Sequence, residues 1–171
     1  DVQGRCIYTT CADGFLTARF TYLSDRVVMT DGQGQRSEYG FNDLHLMSWA
    51  KSPLGHITRY EYDDHGNLLR EISPAGRVVA FSYLDETGLV STFTDGSGCV
   101  WSYDYDEDER LCGFSDPLGR SWSWVLDEAG NPEKMTGPDA SEMQFSWNRY
   151  GLLAEVSNQA GEVQARLNYD H

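Results

Sequence analysis

Two residue marks recur in step along this chain, and together they restrict its fold more than any other feature. Gly34, Gly55, Gly76, Gly98, Gly119 and Gly161 are separated by 21, 21, 22, 21 and 42 residues, and Ala140 stands at the midpoint of the long gap. Gly14 lies 20 residues before Gly34. Ten residues ahead of these positions come Gly4, His45, Gly66, Gly88, Glu109, Gly130 and Gly151, and only Asp25, nine ahead of Gly34, breaks the interval. A fixed period of this length marks a repeat architecture in which each period is one supersecondary unit.

Between the marks the pattern alternates. Three, five and seven residues after the first mark come Thr58, Tyr60 and Tyr62; Val79, Phe81 and Tyr83; Trp101, Tyr103 and Tyr105; Trp122, Trp124 and Leu126; Met143, Phe145 and Trp147. Ser37, Tyr39 and Phe41 obey the same rule, and Phe20 and Tyr22 obey it with a slip of one residue. Alternation places the rings on one face of a strand. The intervening positions, such as Ala80, Ser82, Ser102, Asp104, Ser121, Ser123, Gln144 and Ser146, are small or polar.

Each ring-bearing stretch ends in an Asp/Asn- and Gly-containing turn such as Asp63-Asp64-His65-Gly66 or Asn148-Arg149-Tyr150-Gly151. An apolar residue two places past the second mark (Val27, Met47, Leu68, Val90, Leu111, Leu153) opens a second strand, and Pro132 at that place predicts an edge, a bulge or a local break. Ser52-Pro53-Leu54-Gly55, Ser73-Pro74-Ala75-Gly76 and Asp116-Pro117-Leu118-Gly119 close their periods with a second turn. The predicted fold class is all-β, with each period of about 21 residues a hairpin and residues 1–171 a single array of about seven and a half repeats. About fifteen antiparallel strands at roughly 4.8 Å each exceed what an open twisted sheet sustains, so the sheet is expected to coil or to pack on further layers that bury the rings. The chain opens and closes in mid-pattern, so it reads as a piece of something longer.

Composition excludes several classes. The chain carries 13 Lys and Arg against 27 Asp and Glu, a net charge of −14, which argues against a phosphate-backbone binder. Ten Tyr, seven Phe and five Trp are too many rings for a disordered acidic chain. No apolar run approaches the 18 residues or so of a spanning helix, and the first residues lack the basic and apolar regions of a signal peptide. Cys6, Cys11, Cys99 and Cys112 form no Cys-x-x-Cys pair, and the closest His pair, His56 and His65, is nine residues apart, so no zinc site is expected.

The segment GHITRYEYDDHGNLLREISPAG, Gly55 to Gly76, resembles the YD repeat of the Rhs family in period, glycines, rings and turns. The resemblance covers essentially the whole chain. The Tyr-Asp pair stands at Tyr62-Asp63, Tyr105-Asp106 and Tyr169-Asp170 and drifts elsewhere to Phe41-Asn42, Tyr83-Leu84, Leu126-Asp127 and Trp147-Asn148. The resemblance implies a long sheet of hairpins spiralling into a hollow shell. In bacterial members, insecticidal toxin complexes included, such a shell encloses a toxic C-terminal domain, and delivery is commonly by type VI secretion. The animal relatives, teneurins, use a similar shell in adhesion. For this chain it implies a non-catalytic wall segment of a secreted effector made in the bacterial cytoplasm. Its partners would be flanking shell repeats and the enclosed toxin domain, with secretion-apparatus proteins, a chaperone and an immunity protein for the whole protein. The alternative is an extracellular module that binds carbohydrate or protein.

No catalytic, metal or cofactor residue is assigned. The family's autocleavage motif carries two Asp-Pro-x-Gly elements; Asp116-Pro117-Leu118-Gly119 matches one, but Pro138-Asp139-Ala140-Ser141 is not the second, so Asp116 reads as a turn residue. Asp104, Asp106 and Asp108 open like a calcium loop, yet Glu109 and Ser115 stand where its glycine and bidentate acid belong. His45, His56, His65 and His171 lack a nucleophile at a recognisable spacing. Asp31-Gly32-Gln33-Gly34 and Asp95-Gly96-Ser97-Gly98 lie between strands, where a phosphate loop would precede a helix. A sugar platform on the Trp rows is less economical than a core ladder, because the rings recur in nearly every unit. Three expectations follow. Inner turns fall near 42–45, 63–66, 85–88, 106–109, 127–130 and 148–151; Tyr60, Phe81, Tyr103, Trp124 and Phe145 share a face; and Asp63, Asp64, Asp85, Glu86, Asp106, Glu107, Asp108, Glu109, Asp127 and Glu128 form a negative stripe at the inner turns.

Overall fold

The computed structural model describes residues 1–11, 16–85 and 87–169, so Gly14, Glu86, Asp170 and His171 lie outside the described residues. These residues form strands and turns, without helix. Two compact units are present, Asp1–Phe81 with Asp95–Ser97, and Ser82–Thr94 with Gly98–His171. The first holds β1 (Tyr8–Cys11), β2 (Leu16–Tyr22), β3 (Arg26–Asp31), β4 (Arg36–Phe41), β5 (Met47–Lys51), β6 (Ile57–Tyr62), β7 (Leu68–Ile72) and the start of β8 (Val78–Tyr83). The second holds the end of β8, then β9 (Val90–Thr94), β10 (Val100–Tyr105), β11 (Leu111–Ser115), β12 (Ser121–Leu126), β13 (Pro132–Thr136), β14 (Glu142–Trp147), β15 (Leu153–Asn158) and β16 (Val163–Arg166). Hydrogen bonding follows chain order from β1 to β16, strand antiparallel to strand.

The second marks are the inner turns. Asp63 N–H donates to the Asn67 carbonyl at 3.0 Å and Gly66 N–H donates back to the Asp63 carbonyl at 3.1 Å; the same pair of bonds closes the turns beginning at Asn42, Asp106, Asp127 and Asn148. The first marks close the outer turns in the same way from Asp31, Ser52, Ser73, Asp116, Gly137 and Asn158. The residue two places before each of β4 to β16 takes positive φ, and three of the four marks that are not glycine adopt it too: His45 at 60°, Glu109 at 61° and Ala140 at 61°. This is a tight turn followed by a left-handed residue, the geometry that seats a bulge in a hairpin.

The inner hairpins accordingly shift register at Gly40/Phe41, Glu61/Tyr62, Asp104/Tyr105, Val125/Leu126 and Ser146/Trp147. Pro132 pairs with Leu126 across one of these, so the break expected there is the same bulge its neighbours have. A proline opening a strand fits because no N–H is required of it. Both irregular intervals also have local causes. Leu23 N–H reaches the Arg26 carbonyl at 2.9 Å in a shorter turn, which accounts for the interval of nine. Leu84 N–H reaches the Leu89 carbonyl, one residue further than usual, which accounts for the interval of 22.

Burial departs from expectation. Val28, 2% exposed, and Val156, 8% exposed, are the buried hydrophobic residues among those described. Most of the rings are half-buried, and Phe41 is exposed.

Candidate functional site

Direct cross-strand partners share a face, so the pairing register assigns each side chain to one of two surfaces. In the first unit Phe20 faces Met29, Tyr22 faces Val27, and the row continues through Tyr39, Ala50 and Thr58. Tyr60 faces Glu71, which faces Val79, so Tyr60 and Phe81 lie on this surface as expected. In the second unit Phe93 faces Trp101, Tyr103 faces Phe114, Phe114 faces Trp122, and Trp124 faces Met135. Met135 faces Met143 and Phe145 faces Val156, so Tyr103, Trp124 and Phe145 also share a face. Phe114 stacks on Trp122 with centroids 4.7 Å apart and planes 11° from parallel, and Trp124 tilts against it at 6.3 Å. Such pairs add about 0.5–1.5 kcal/mol to the burial of their area.

The last ring of a unit also stitches hairpins together. Tyr22 Oη donates to the Cys6 carbonyl at 2.8 Å and Tyr62 Oη to the Met47 carbonyl at 2.9 Å. Tyr105 Oη donates to the Val90 carbonyl, Trp147 Nε1 to the Pro132 carbonyl and Tyr169 Oη to the Leu153 carbonyl, at 3.0, 2.8 and 2.8 Å. Where Leu126 replaces the ring, Trp124 Nε1 reaches the Leu111 carbonyl at 2.6 Å. Desolvation raises the Tyr105 phenol, with Tyr103 adding to the effect, so this group stays a donor at neutral pH. The tyrosine of the Tyr-Asp pair is therefore a hydrogen-bond tie as well as a ring.

The aspartate of the pair is a turn cap. Asp63 Oδ1 accepts the His65 and Asn67 backbone N–H groups at 2.9 and 2.8 Å, and Oδ2 accepts the Asn67 side-chain amide. The Asn67 amide is the largest influence holding the Asp63 carboxyl below its usual range. Asp127 is lowered chiefly by the Asn131 amide, and Asp106 chiefly by the Arg110 backbone N–H, with the Arg110 guanidinium also bonded to it at 2.8 Å. Asp116 occupies the identical place in an outer turn, accepting the Leu118 and Arg120 N–H groups, and the Arg120 side chain lowers it most.

These caps account for most of the sequence candidates. Asp116 is spent on its own turn. Asp106 uses both oxygens on Asp108 N–H and Arg110, Asp108 lies 3.3 Å from Arg110, and no group of three metal-capable side chains occurs among the described residues. In Asp31-Gly32-Gln33-Gly34 the Asp31 carboxylate takes the N–H groups of Gln33 and Gln35 that a phosphate would need. His45, His56 and His65 are exposed turn residues. The expected stripe splits in two: Asp63, Asp106 and Asp127 turn inward to cap, whereas Asp64, Asp85, Glu107, Asp108, Glu109 and Glu128 are exposed at inner turns of their respective units.

The face opposite the rings differs between the units. In the second it carries Thr92, Thr94, Ser102, Asp104, Ser115, Ser121, Ser123 and Thr136, with the Ser115 and Ser121 hydroxyls 2.7 Å apart. It also carries Val100, Val125 and the ion pairs Lys134–Glu142 and Arg166–Glu155, in which each cation is matched by an acid. In the first it carries Arg19, Arg26, Arg36, Lys51, Arg59 and Arg70 around Glu38, Glu61 and Trp49. The sequence pattern read these intervening positions as small or polar; alternate cations at Arg36, Arg59 and Arg70 were the signal for this surface.

Comparison with known proteins matches the geometry. The RHS Repeat family model fits residues 41–78 and 62–98. Two proteins of Dickeya dadantii (strain 3937), named "Probable deoxyribonuclease RhsB" and "Probable deoxyribonuclease RhsA", are 78% and 77% identical to the chain over all 171 residues; the chain spans 12% of each. Among solved structures, a Tc holotoxin pore of Photorhabdus luminescens superposes with a TM-score of 0.63 at 14% identity, over 86% of this chain and 9% of that one. A TcdB2–TccC3 structure without its hypervariable C-terminal region gives 0.51 at 16% identity, over 100% and 12%. The repeat model fits within the array, and every residue of the chain aligns at 77–78% identity with a stretch of two Rhs proteins; the chain belongs to the Rhs/YD-repeat family.

Proposed function

We propose that the chain is a wall segment of a shell that encloses a C-terminal toxin domain, and that it has no catalysis of its own. In this reading residues 1–171 are one array of repeats within a coiled sheet, made in the bacterial cytoplasm and exported as part of a larger effector, with type VI secretion as the route. Its partners are the flanking repeats and the enclosed domain; secretion-apparatus proteins, a chaperone and an immunity protein act on the whole effector.

The observation that carries the reading is the half-exposed ring face. Phe93, Trp101, Tyr103, Phe114, Trp122 and Trp124 form a contiguous apolar surface in the second unit that its own residues do not cover. Contiguous apolar surface of this kind serves contact with other protein. The fold likeness to Tc structures and the similarity to Rhs proteins support the same role. The function names of those relatives describe proteins of which this chain is about an eighth, and the proposal assigns nuclease activity to their remaining parts.

The test uses the full-length protein. Limited proteolysis should leave its C-terminal domain protected while the shell is intact. Replacing Trp101, Trp122 and Trp124 with Ser should expose that domain to the protease. Protection that survives a demonstrably opened shell, or a C-terminal domain cleaved equally in the native protein, would remove the enclosure reading.

A further inference from the structure

The ring-opposed face of the first unit concentrates positive charge in an acidic chain. Arg19, Arg26, Arg36, Lys51, Arg59 and Arg70 are six of the 13 Lys and Arg, and they share that face with Glu38 and Glu61, two of the 27 Asp and Glu. The cross-strand register brings them together. Arg19 faces Thr30, which faces Arg36; Arg26 faces Gly40, which faces Trp49, which faces Arg59.

Carboxylates satisfy only part of this charge, Asp25 among them, 2.8 Å from Arg26. Glu38 lies 3.1 Å from Arg26 and 3.8 Å from Lys51, and Glu61 lies 3.0 Å from Arg70. Arg19 rests over the Tyr8 ring at 5.7 Å. Arg36 and Arg59 are exposed and have no ion pair among the described residues. The Trp49 indole rests against Gly40 so closely that a Cβ there would clash with it, and Ile57 and Ile72 share the face. Trp and Arg beside apolar residues are the composition of interface hot spots.

We propose that this face docks a carboxylate-rich polypeptide, with Arg36 and Arg59 gripping its acids and Trp49 packing against its backbone and apolar atoms. Guanidinium forks match carboxylates in two-point contact. A protein partner fits better than nucleic acid, because a polyphosphate carries its charge past the patch into the field of a chain of net charge −14. An acidic peptide presents its few charges locally, within the screening length of about 8–10 Å. The inference is independent of the enclosure reading, since it concerns the face opposite the rings.

The test measures fluorescence anisotropy of a labelled oligoglutamate peptide against the chain, with a duplex DNA oligomer in parallel. The native protein should bind the peptide at low salt and lose it at high salt. The pair Arg36→Gln and Arg59→Gln should weaken binding by about tenfold or more. Arg149→Gln, in the second unit, should leave it unchanged. Neither arginine of the pair anchors a turn, and unchanged far-UV circular dichroism verifies the fold. Absence of peptide binding at low salt, equal binding by the double variant, or tighter binding of the DNA through the same arginines would each overturn the proposal.

Discussion

On the ring-opposed face of the second unit, Asp104 stands over Gly113, whose Cβ position lies 3.2 Å from its carboxylate, amid serines and threonines. At the corresponding pairing in the first unit the residue over the glycine is Trp49, and the surroundings are arginines. Both units nevertheless use the same hairpin, the same capped turns and the same ring-to-carbonyl ties. What recurs is what folding requires of every repeat. What changes between units is free of that requirement, and the ring-opposed face is therefore where one stretch of repeats can acquire a role its neighbour lacks. The ring faces differ in degree: the second unit stacks Phe114 on Trp122, while in the first unit Tyr60 faces Glu71 and Tyr39 faces Ala50.

That difference sets the largest expected effect. Trp124→Ala removes a ring that touches Phe114 and donates to the Leu111 carbonyl. Because Trp124 is half-buried, the loss should be about 2–3 kcal/mol, below the roughly 3–5 of an enclosed ring. Tyr60→Ala in the first unit should lose about 1–2 kcal/mol, and Ser123→Ala no more than about 0.5. Urea midpoints decide the order; equal losses at Trp124 and Ser123 would mean the ring face contributes nothing to folding.

The next contrast lies on the opposite face. Gly40→Ala drives a methyl into the Trp49 indole and should destabilise by about 1–3 kcal/mol, the usual range for overpacking. In a Trp49→Ala background the same substitution should be neutral or mildly stabilising, since alanine is the better strand residue. A double-mutant cycle reads the coupling directly. Additive effects would show that the indole does not rest on Gly40 in solution.

How much of this was legible beforehand follows the same division. The ring positions, both turn series and the odd intervals at Asp25 and Gly88 could be read because alternation and turn chemistry are local. Even His45, Glu109 and Ala140, chemically unlike glycine, were placed by interval alone and take the glycine conformation. The ties from Tyr62 to Met47 and from Tyr105 to Val90 escaped notice: each spans 15 residues, and nothing local marks a carbonyl as available. The cationic face escaped because the alternate positions were judged from the serine-rich units, where they are small. Burial was overestimated because a half-covered ring and an enclosed one have the same pattern in sequence.

The left-handed positions offer a smaller change of opposite sign. Ala140→Gly and Glu109→Gly should each stabilise by about 0.5–1 kcal/mol, because a side chain at φ near 61° is strained and glycine is not. Gly130→Ala, at φ 85°, should destabilise by a similar or greater amount. Thermal unfolding of the three variants checks the signs, and a stabilising Gly130→Ala would remove the conformational argument.

The smallest effect at neutral pH distinguishes the units through their caps. Four carboxyls of the second unit, Asp106, Asp116, Asp127 and Asp139, are held below the usual range, against Asp63 in the first, where Asn42, Ser52 and Ser73 cap other turns without a charge. A carboxyl whose folded value is lowered binds its proton more readily in the unfolded chain. Its stabilisation is complete above the unfolded value and fades as pH falls from there through the folded one. Acidification should therefore open amides of the second unit before those of the first, as hydrogen exchange resolved by peptide can show. Asp127→Asn keeps the oxygen that accepts the Asn131 N–H, as Asn148 does in the neighbouring turn. It should change little at neutral pH and blunt the acid-induced opening around residues 127–131. Opening that begins in the first unit, or that is indifferent to Asp127→Asn, would assign acid sensitivity to groups other than the caps.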